Sequence, residues 1–343
     1  MTTLARRDDG DLARGIAAWC AHEWPNTTHE VIELRRPNSG WSNETLLVTT
    51  NREQFVVRLP PPLPSWPSYD LAAQARVLDA LAPQGIPVPR VIALEDDEEW
   101  LGAPFLVMSH EPGRTGGEVP AFEPWIADAS LNEQRGLHER FAHLLASIHR
   151  VDWRGAGLDD VLRGSGTPLG AEIAWWAEYI EWAADGEPTA SLARAIAWCA
   201  TNAPADTPPP SLCWGDVRLG NVLYSDDRQI TSVLDWEMAS IGPAEMDLGW
   251  YLVLDDLTTH YTKRRIAGFL DRTEFVATYE RALGRGVHDL AWYEIFALTR
   301  SIAINERQAR LAATTGVAYP GVAGEDNPVL RQITRRIDAY PAV

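Results

Sequence analysis

Leu212-Cys213-Trp214-Gly215-Asp216-Val217-Arg218-Leu219-Gly220-Asn221-Val222-Leu223 is the stretch on which the reading of this 343-residue chain turns. Two short apolar runs enclose a polar turn that carries Asp216 and, five positions on, Asn221. Asp235 follows fourteen residues later, at the end of Ser232-Val233-Leu234. An Asp, an Asn five residues on and a second Asp on the next strand are the parts of a phosphoryl-transfer site. Mg²⁺ is a hard cation that takes carboxylate and amide oxygens near an octahedron. Asn221 and Asp235 would supply two of them. Asp216 would then stand beside an acceptor hydroxyl, orient it and take its proton. An isolated Asp-x-x-x-x-Asn is also an ordinary turn or capping pattern. The second Asp and the organisation of the preceding chain set this one apart.

Upstream, the hydrophobic period changes twice. Leu12 to Trp24 has apolar residues at helical spacing. Val31 to Leu34, Thr45 to Thr49 and Gln54 to Leu59 are β-branched and apolar, and predict three successive strands. A proline-rich connector over Leu59 to Pro67 leads to a helix over Asp70 to Leu81. Val91 to Leu94 and Phe105 to Met108 predict two more strands. Residues 1–110 therefore read as a small, mostly antiparallel sheet lobe with one helix inserted after its third strand. Residues 111–343 read as a larger, mainly helical lobe. Its expected helices are Leu131 to His149, Ala171 to Ala184, Ser191 to Cys199, Asp247 to Leu254, Ile266 to Leu283 and Val287 to Leu311. Short strands are expected around the catalytic turn, at Leu212 to Trp214, Val222 to Tyr224 and Thr231 to Leu234. The expected fold class is α+β, in two lobes with a ligand cleft between them.

Composition narrows the partners. The chain carries 30 basic and 48 acidic residues, a formal net charge of −18. A duplex nucleic acid or an anionic membrane needs a basic face, so neither is an expected partner. Hydrophobic residues make up 45%, enough for a sizeable core. Three cysteines without a C-x-x-C pair indicate neither a disulfide framework nor a zinc site. No N-terminal apolar run suggests a signal peptide, and no stretch reaches the length of a membrane span. A reducing, cytoplasmic compartment is the expectation. Only one basic residue, Lys263, is a lysine.

Gly215-Asp216-Val217-Arg218-Leu219-Gly220-Asn221-Val222-Leu223, followed by Val233-Leu234-Asp235-Trp236-Glu237 and Asp247-Leu248-Gly249-Trp250, resembles the aminoglycoside phosphotransferase family, within the protein-kinase-like fold. The closer resemblance is to the branch similar to the kinase-like domain of certain acyl-CoA dehydrogenase proteins. It runs in order from about Val31 to about Leu254. It implies that Asp216 is the catalytic base, that Asn221 and Asp235 hold Mg²⁺, and that ATP, or alternatively GTP, is the phosphoryl donor. Gly40, Ser42 and Asn43 resemble the nucleotide loop between the first two strands, where a plain hairpin turn is the alternative. Met108 to Glu111, with Ser109 and Glu111, resembles the hinge that would bind adenine. Asp247 resembles the aspartate that braces the catalytic loop, and His149 a packed helix end without a catalytic role.

The sequence also departs from the pattern. Trp214 stands where the family commonly has a bracing histidine, which bears on local packing. Lys263 lies beyond the catalytic loop, so no lysine fills the third-strand place that holds phosphates; Arg58 occupies it. Arginine binds phosphate bidentately and stays charged, so Arg58 is expected to substitute. The helix place usually held by glutamate is Gln74, whose carbonyl oxygen is expected to orient that guanidinium. A solvated strand arginine is the alternative for Arg58. Arg218 is expected to stabilise charge on the transferring phosphoryl, and simple pairing with Asp216 is its alternative.

An acceptor wall is sought between Gly164 and Ala193, which contains no basic residue. On a helix, Trp175, Tyr179 and Trp182 share one face, with Glu178 on the adjacent one. Such a wall suits a cationic acceptor; a core-packed aromatic stripe with a solvated edge is the alternative. Three functional readings stand: a kinase of a metabolic hydroxyl compound, acyl or hydroxy-acid in type; an aminoglycoside kinase; and a nucleotide-binding pseudoenzyme. The intact Asp216, Asn221 and Asp235 favour the first two. Monomer and homodimer are both open.

Overall fold

The computed structural model describes residues 6–37, 42–164, 168–205, 207–316 and 321–340. Val31–Arg35 (β1), Glu44–Thr50 (β2), Gln54–Leu59 (β3), Val91–Glu95 (β4) and Phe105–Ser109 (β5) form one antiparallel sheet in the order β1-β2-β3-β5-β4. Alternation of side chains gives the sheet two uses. Leu46, Val48, Phe55, Val57, Phe105 and Val107 point to one face, where Asp9–Glu23 (α1) covers them with Leu12, Ile16, Trp19 and Cys20. Leu106 and Met108 point to the other face. They join a second core with Ala75, Leu78 and Leu81 of Leu71–Leu81 (α2) and with the helical part of the chain. Asp70 caps α2 by accepting from Ala73 N at 2.8 Å.

The rest is built on helices. Leu131–His149 (α4) follows the short Arg114–Thr115 (β6) and Pro124–Ala127 (α3). Ser130 and Glu133 close a capping box at the start of α4. Pro168–Ala183 (α5) and Ala190–Thr201 (α6) follow. Ser211–Cys213 (β7), Val222–Tyr224 (β8), Ile230–Val233 (β9) and Ser240–Gly242 (β10) flank the Asp216 turn and the Asp235 loop. β7 pairs with β10, and β6, β8 and β9 form a separate sheet. Glu245–Thr262 (α7), Arg272–Leu283 (α8), Leu290–Thr315 (α9) and Pro328–Asp338 (α10) complete the lobe. The expected helix Ile266 to Leu283 starts later, because Asp271 and Glu274 close a capping box that fixes its first turn. α10 has no counterpart among the expected helices; Asn327 caps it and proline opens it. Lys263, exposed and in the left-handed region (φ 56°), ends α7. Among the described residues, no helix is long and apolar enough to cross a membrane.

His138 shows how tightly the helical lobe is tied. Leu270 N donates to His138 Nδ1 at 3.0 Å, so Nε2 carries the proton and donates to the Tyr251 hydroxyl. The ring stacks on Phe269, 4.3 Å between centroids. Burial, then the charge of Arg265, pushes its pKa down to about 3. An unfolded histidine titrates near 6.5 and takes up a proton that the folded one refuses. His138 therefore lowers stability as pH falls from about 6.5 towards 3, by at most about 1.4 kcal/mol per pH unit. In urea unfolding between pH 7 and 4, His138→Gln is expected to show a shallower loss of stability than the parent protein. An identical slope in the two would contradict this role.

Candidate active site

The strand and turn order places Asp216 between β7 and β8, and Asp235 between β9 and β10. Gly215 makes the approach possible. It sits at φ +94°, and a Cβ there would come 2.5 Å from Met238 O. Asp216 is then gripped on both carboxylate oxygens. Oδ2 accepts from Arg218 Nε at 2.9 Å and Asn221 Nδ2 at 2.7 Å, and Oδ1 from Trp250 Nε1 at 3.3 Å. Arg218 also donates to Glu118 Oε2 at 2.5 Å. The pairing alternative for Arg218 thus describes its contacts here. Burial opposes its charge, but Asp216, Glu118 and Asp235 outweigh burial and push its pKa up.

Asn221 spends its amide nitrogen on Asp216, which leaves Oδ1 as its remaining group. Leu234 N donates to Asn221 O at 2.8 Å, so the two loops are joined through their backbones. Asp235 lies next, in the left-handed region at φ 63°. Such strain in a non-glycine residue is characteristic of functional sites. Asn221 Oδ1 and the Asp235 carboxylate are hard oxygen donors lining one cavity, and Asp235 already attracts a cationic guanidinium. This donor set fits Mg²⁺.

Behind the turn lies a buried brace. Asp247 accepts from Trp214 N at 2.6 Å, Gly215 N at 3.0 Å and His149 Nε2 at 3.1 Å. The Tyr279 hydroxyl lies 2.7 Å from His149 Nδ1. His149, Cys213 and Asp247 are close enough to suggest a metal cluster. The Asp247 oxygens are already occupied by donors, however, and burial pushes the Cys213 thiol well up, which disfavours a thiolate ligand. The expected change at Trp214 resolves differently from a packing defect. Its indole Nε1 donates to Leu234 O at 2.8 Å and to Asp235 O at 3.2 Å. Trp214 therefore ties the catalytic turn to the Asp235 loop.

Arg58 reaches the site, but its expected partner is wrong. Arg58 Nη2 donates to Asp235 Oδ1 at 2.5 Å and Glu237 Oε2 at 2.8 Å. Gln74 is buried and lines the same cavity, yet among the described residues it makes no hydrogen bond to Arg58. An amide carries no net charge to compete with two carboxylates. The solvated alternative also fails, since the Arg58 side chain is only 11% exposed. Ser42 and Asn43 sit at the cavity, and both bond Glu237. Gly40 lies outside the described residues. Ser109 and Glu111 line the far end of the cavity; the Ser109 hydroxyl donates to Glu111, and Ser109 N is held by Arg90 O at 2.9 Å.

Two cavities meet at Asp235 and Arg218. One, of about 350 Å³, lies between the sheet and Asn221, walled by Val56, Leu106 and Met108. The other, of about 340 Å³, contains Asp216, Trp66, Glu118, Trp250 and Asp255. The expected acceptor wall is not in it. Tyr179 is 1% exposed and its hydroxyl donates to Ser65 O at 3.0 Å. Trp175 stacks on Tyr179 and lies 4.3 Å from the Arg163 guanidinium. Trp182 packs 4.2 Å from Arg307, and Glu178 faces solvent. The core-packed alternative is the correct one. The stripe supports Trp66, whose ring contacts Trp175, Trp176 and Tyr179.

Glu237 was missed as a site residue, although Asp235-Trp236-Glu237 is visible in the sequence. Trp66 and Glu118 come from connectors without a local signal; Trp250 and Asp255 both lie on α7, and Trp250 stands in the quoted Asp247-to-Trp250 motif, but neither was singled out.

The brace makes a direct prediction. Asp247→Ala leaves two buried backbone N–H groups unpaired, at roughly 1–3 kcal/mol each. A loss of at least about 2 kcal/mol is expected in urea unfolding. Trp214→Phe keeps an aromatic ring and deletes one donor, and should cost about 1 kcal/mol.

The model of the phosphotransferase enzyme family matches residues 33–296. The chicken (Gallus gallus) acyl-CoA dehydrogenase family member 11 is 29% identical over 252 residues, covering 71% of this chain and 31% of that protein. The Arabidopsis thaliana probable acyl-CoA dehydrogenase IBR3 is 26% identical over 327 residues, covering 88% of this chain and 39% of that protein. The chain thus spans about a third of the length of these relatives. A Ralstonia eutropha JMP134 protein provisionally named an aminoglycoside phosphotransferase has a solved structure with a TM-score of 0.67, at 21% identity and 94% coverage of each chain. That likeness carries the protein-kinase-like, two-lobe α+β fold. With residues 33–296 matched, more than half its length, the chain belongs to the phosphotransferase enzyme family.

Proposed function

We propose that this protein transfers the γ-phosphoryl of ATP to a hydroxyl of a small molecule, in a Mg²⁺-dependent reaction without a covalent enzyme intermediate. The observation that carries this reading is the meeting of two cavities at Asp235 and Arg218, with Asn221 lining one and Asp216 the other. The nucleotide belongs in the first, its base against Met108 to Glu111, and the acceptor in the second. GTP is the alternative donor. Asp216 orients the acceptor hydroxyl and takes its proton, held in place by Arg218, Asn221 and Trp250. Arg58 donates to the phosphates from the sheet side. Asn221 and Asp235 would hold Mg²⁺, which when bound would supply charge neutralisation on the donor phosphates. Arg218 reaches the transferring group from its place between Asp216 and Glu118.

Glu118, Glu237 and Asp255 share the acceptor cavity with Asp216. Burial, then Asp256 set against Arg265, pushes the Asp255 pKa up to about 6. This acidic lining favours a neutral or cationic acceptor, which keeps an aminosugar beside a metabolic alcohol. Three buried free cysteines suit a reducing, cytoplasmic setting.

A panel of aminosugars, simple alcohols, hydroxy acids and their thioesters, read by ADP formation, tests the reading. Turnover with one acceptor, abolished by Asp216→Ala, is the expected result. Arg218→Ala should lower kcat on the order of 10³-fold, and a fall of less than about tenfold would reduce Arg218 to a positioner of Asp216. Failure to bind Mg–ATP at millimolar concentration would overturn the proposal.

A further inference from the structure

Glu237 is where the two lobes are tied across the site. Its side chain is 8% exposed. Oε2 accepts from Arg58 Nη2 at 2.8 Å and from Asn43 Nδ2, and Oε1 accepts from Trp66 Nε1 at 2.9 Å. These donors come from β3, the residue before β2 and the connector after β3, and the Ser42 side chain also bonds the carboxylate. The carboxylate is thus isolated from water and surrounded by donors from the sheet lobe. Helix α2 offers nothing comparable. Gln74 is uncharged, and the one carboxylate of α2, Asp79, is exposed.

We propose that Glu237 is the positioning residue for Arg58, holding the phosphate-binding cation of the sheet from the metal-binding loop, where a carboxylate on α2 would otherwise do so. This rests on the phosphotransferase reading above. Two carboxylates hold Arg58 now, but Asp235 is also a ligand for the divalent cation. Glu237 is the partner that stays with Arg58 when Asp235 turns to the metal. The bonds to both carboxylates leave from Arg58 Nη2, and Nη1 makes no hydrogen bond among the described residues. One edge of the guanidinium is therefore held, and a donor is left for a phosphate oxygen. The arrangement couples the sheet cation and the metal ligand through a two-residue span of backbone instead of through a helix.

The test is calorimetric titration of the full chain with Mg–AMP-PNP, which needs no acceptor and no turnover. Glu237→Gln should weaken binding by about tenfold or more, the loss of one charged hydrogen bond. Arg58→Ala should weaken it at least as much. The double variant should bind within about twofold of Arg58→Ala, because the two changes remove one interaction. Wild-type affinity in Glu237→Gln would overturn the proposal. So would a full further loss on adding Glu237→Gln to Arg58→Ala, which would make Glu237 an independent metal ligand. Should Glu237→Gln not fold by thermal melting, Glu237→Asp carries the same cycle with the same expectations. If the wild-type chain itself fails to bind Mg–AMP-PNP, the phosphotransferase reading falls, and with it this one. Normal binding by the wild type and Glu237→Gln alike overturns the Glu237 assignment alone.

Discussion

The buried carboxylate of Asp247 is the constraint on which the rest of the site depends. It has no solvent to stabilise its charge, so it must be satisfied by protein donors. Two of these are consecutive backbone N–H groups of the Asp216 turn, and the third is His149 at the end of α4. One carboxylate at the start of α7 thereby fixes a turn between two three-residue strands to the long helices of the lobe. Such short strands have too few ladder bonds of their own to hold a catalytic group in register. The precision of Asp216 is borrowed from the helical core.

From this fixed turn, order passes outward through successive polar contacts. The Trp214 indole carries it to the backbone of Leu234 and Asp235. Asp235 and Glu237 carry it to Arg58, and hence to the sheet. Each contact joins segments far apart in sequence, and each is made by a side chain whose other partners leave it little choice of rotamer. The left-handed backbone at Asp235 is the point where the chain bends to serve both sides. Its strain is tolerable because the flanking carbonyls and carboxylate are all engaged.

Much of this was legible in the sequence. Runs of β-branched and apolar residues located the sheet, and α4 was expected over its observed span, because helical patterning is a local signal. Asp216, Asn221 and Asp235 could be grouped as candidates because their spacing is also local. What failed was pairing across the fold. Gln74 was matched to Arg58 by position, yet the guanidinium goes to the nearest carboxylates, which are remote in sequence. The Trp175, Tyr179 and Trp182 stripe was offered as an acceptor wall, but a helix pattern cannot say which neighbour covers it. Here Ser65, Arg163 and Arg307 do, and Trp66 alone carries the effect through to the cavity.

The one lysine of the chain closes α7 on the surface, far in sequence from the strands that wall the cavity proposed for the nucleotide. The cavity therefore contains no amine. Reagents that label kinases by acylating the phosphate-binding lysine have no nucleophile to find there, and an enzyme of this kind would be silent in a survey built on them. Dicarbonyl compounds, which condense with guanidinium groups, match its chemistry instead, and bound nucleotide would shield the arginine that they seek.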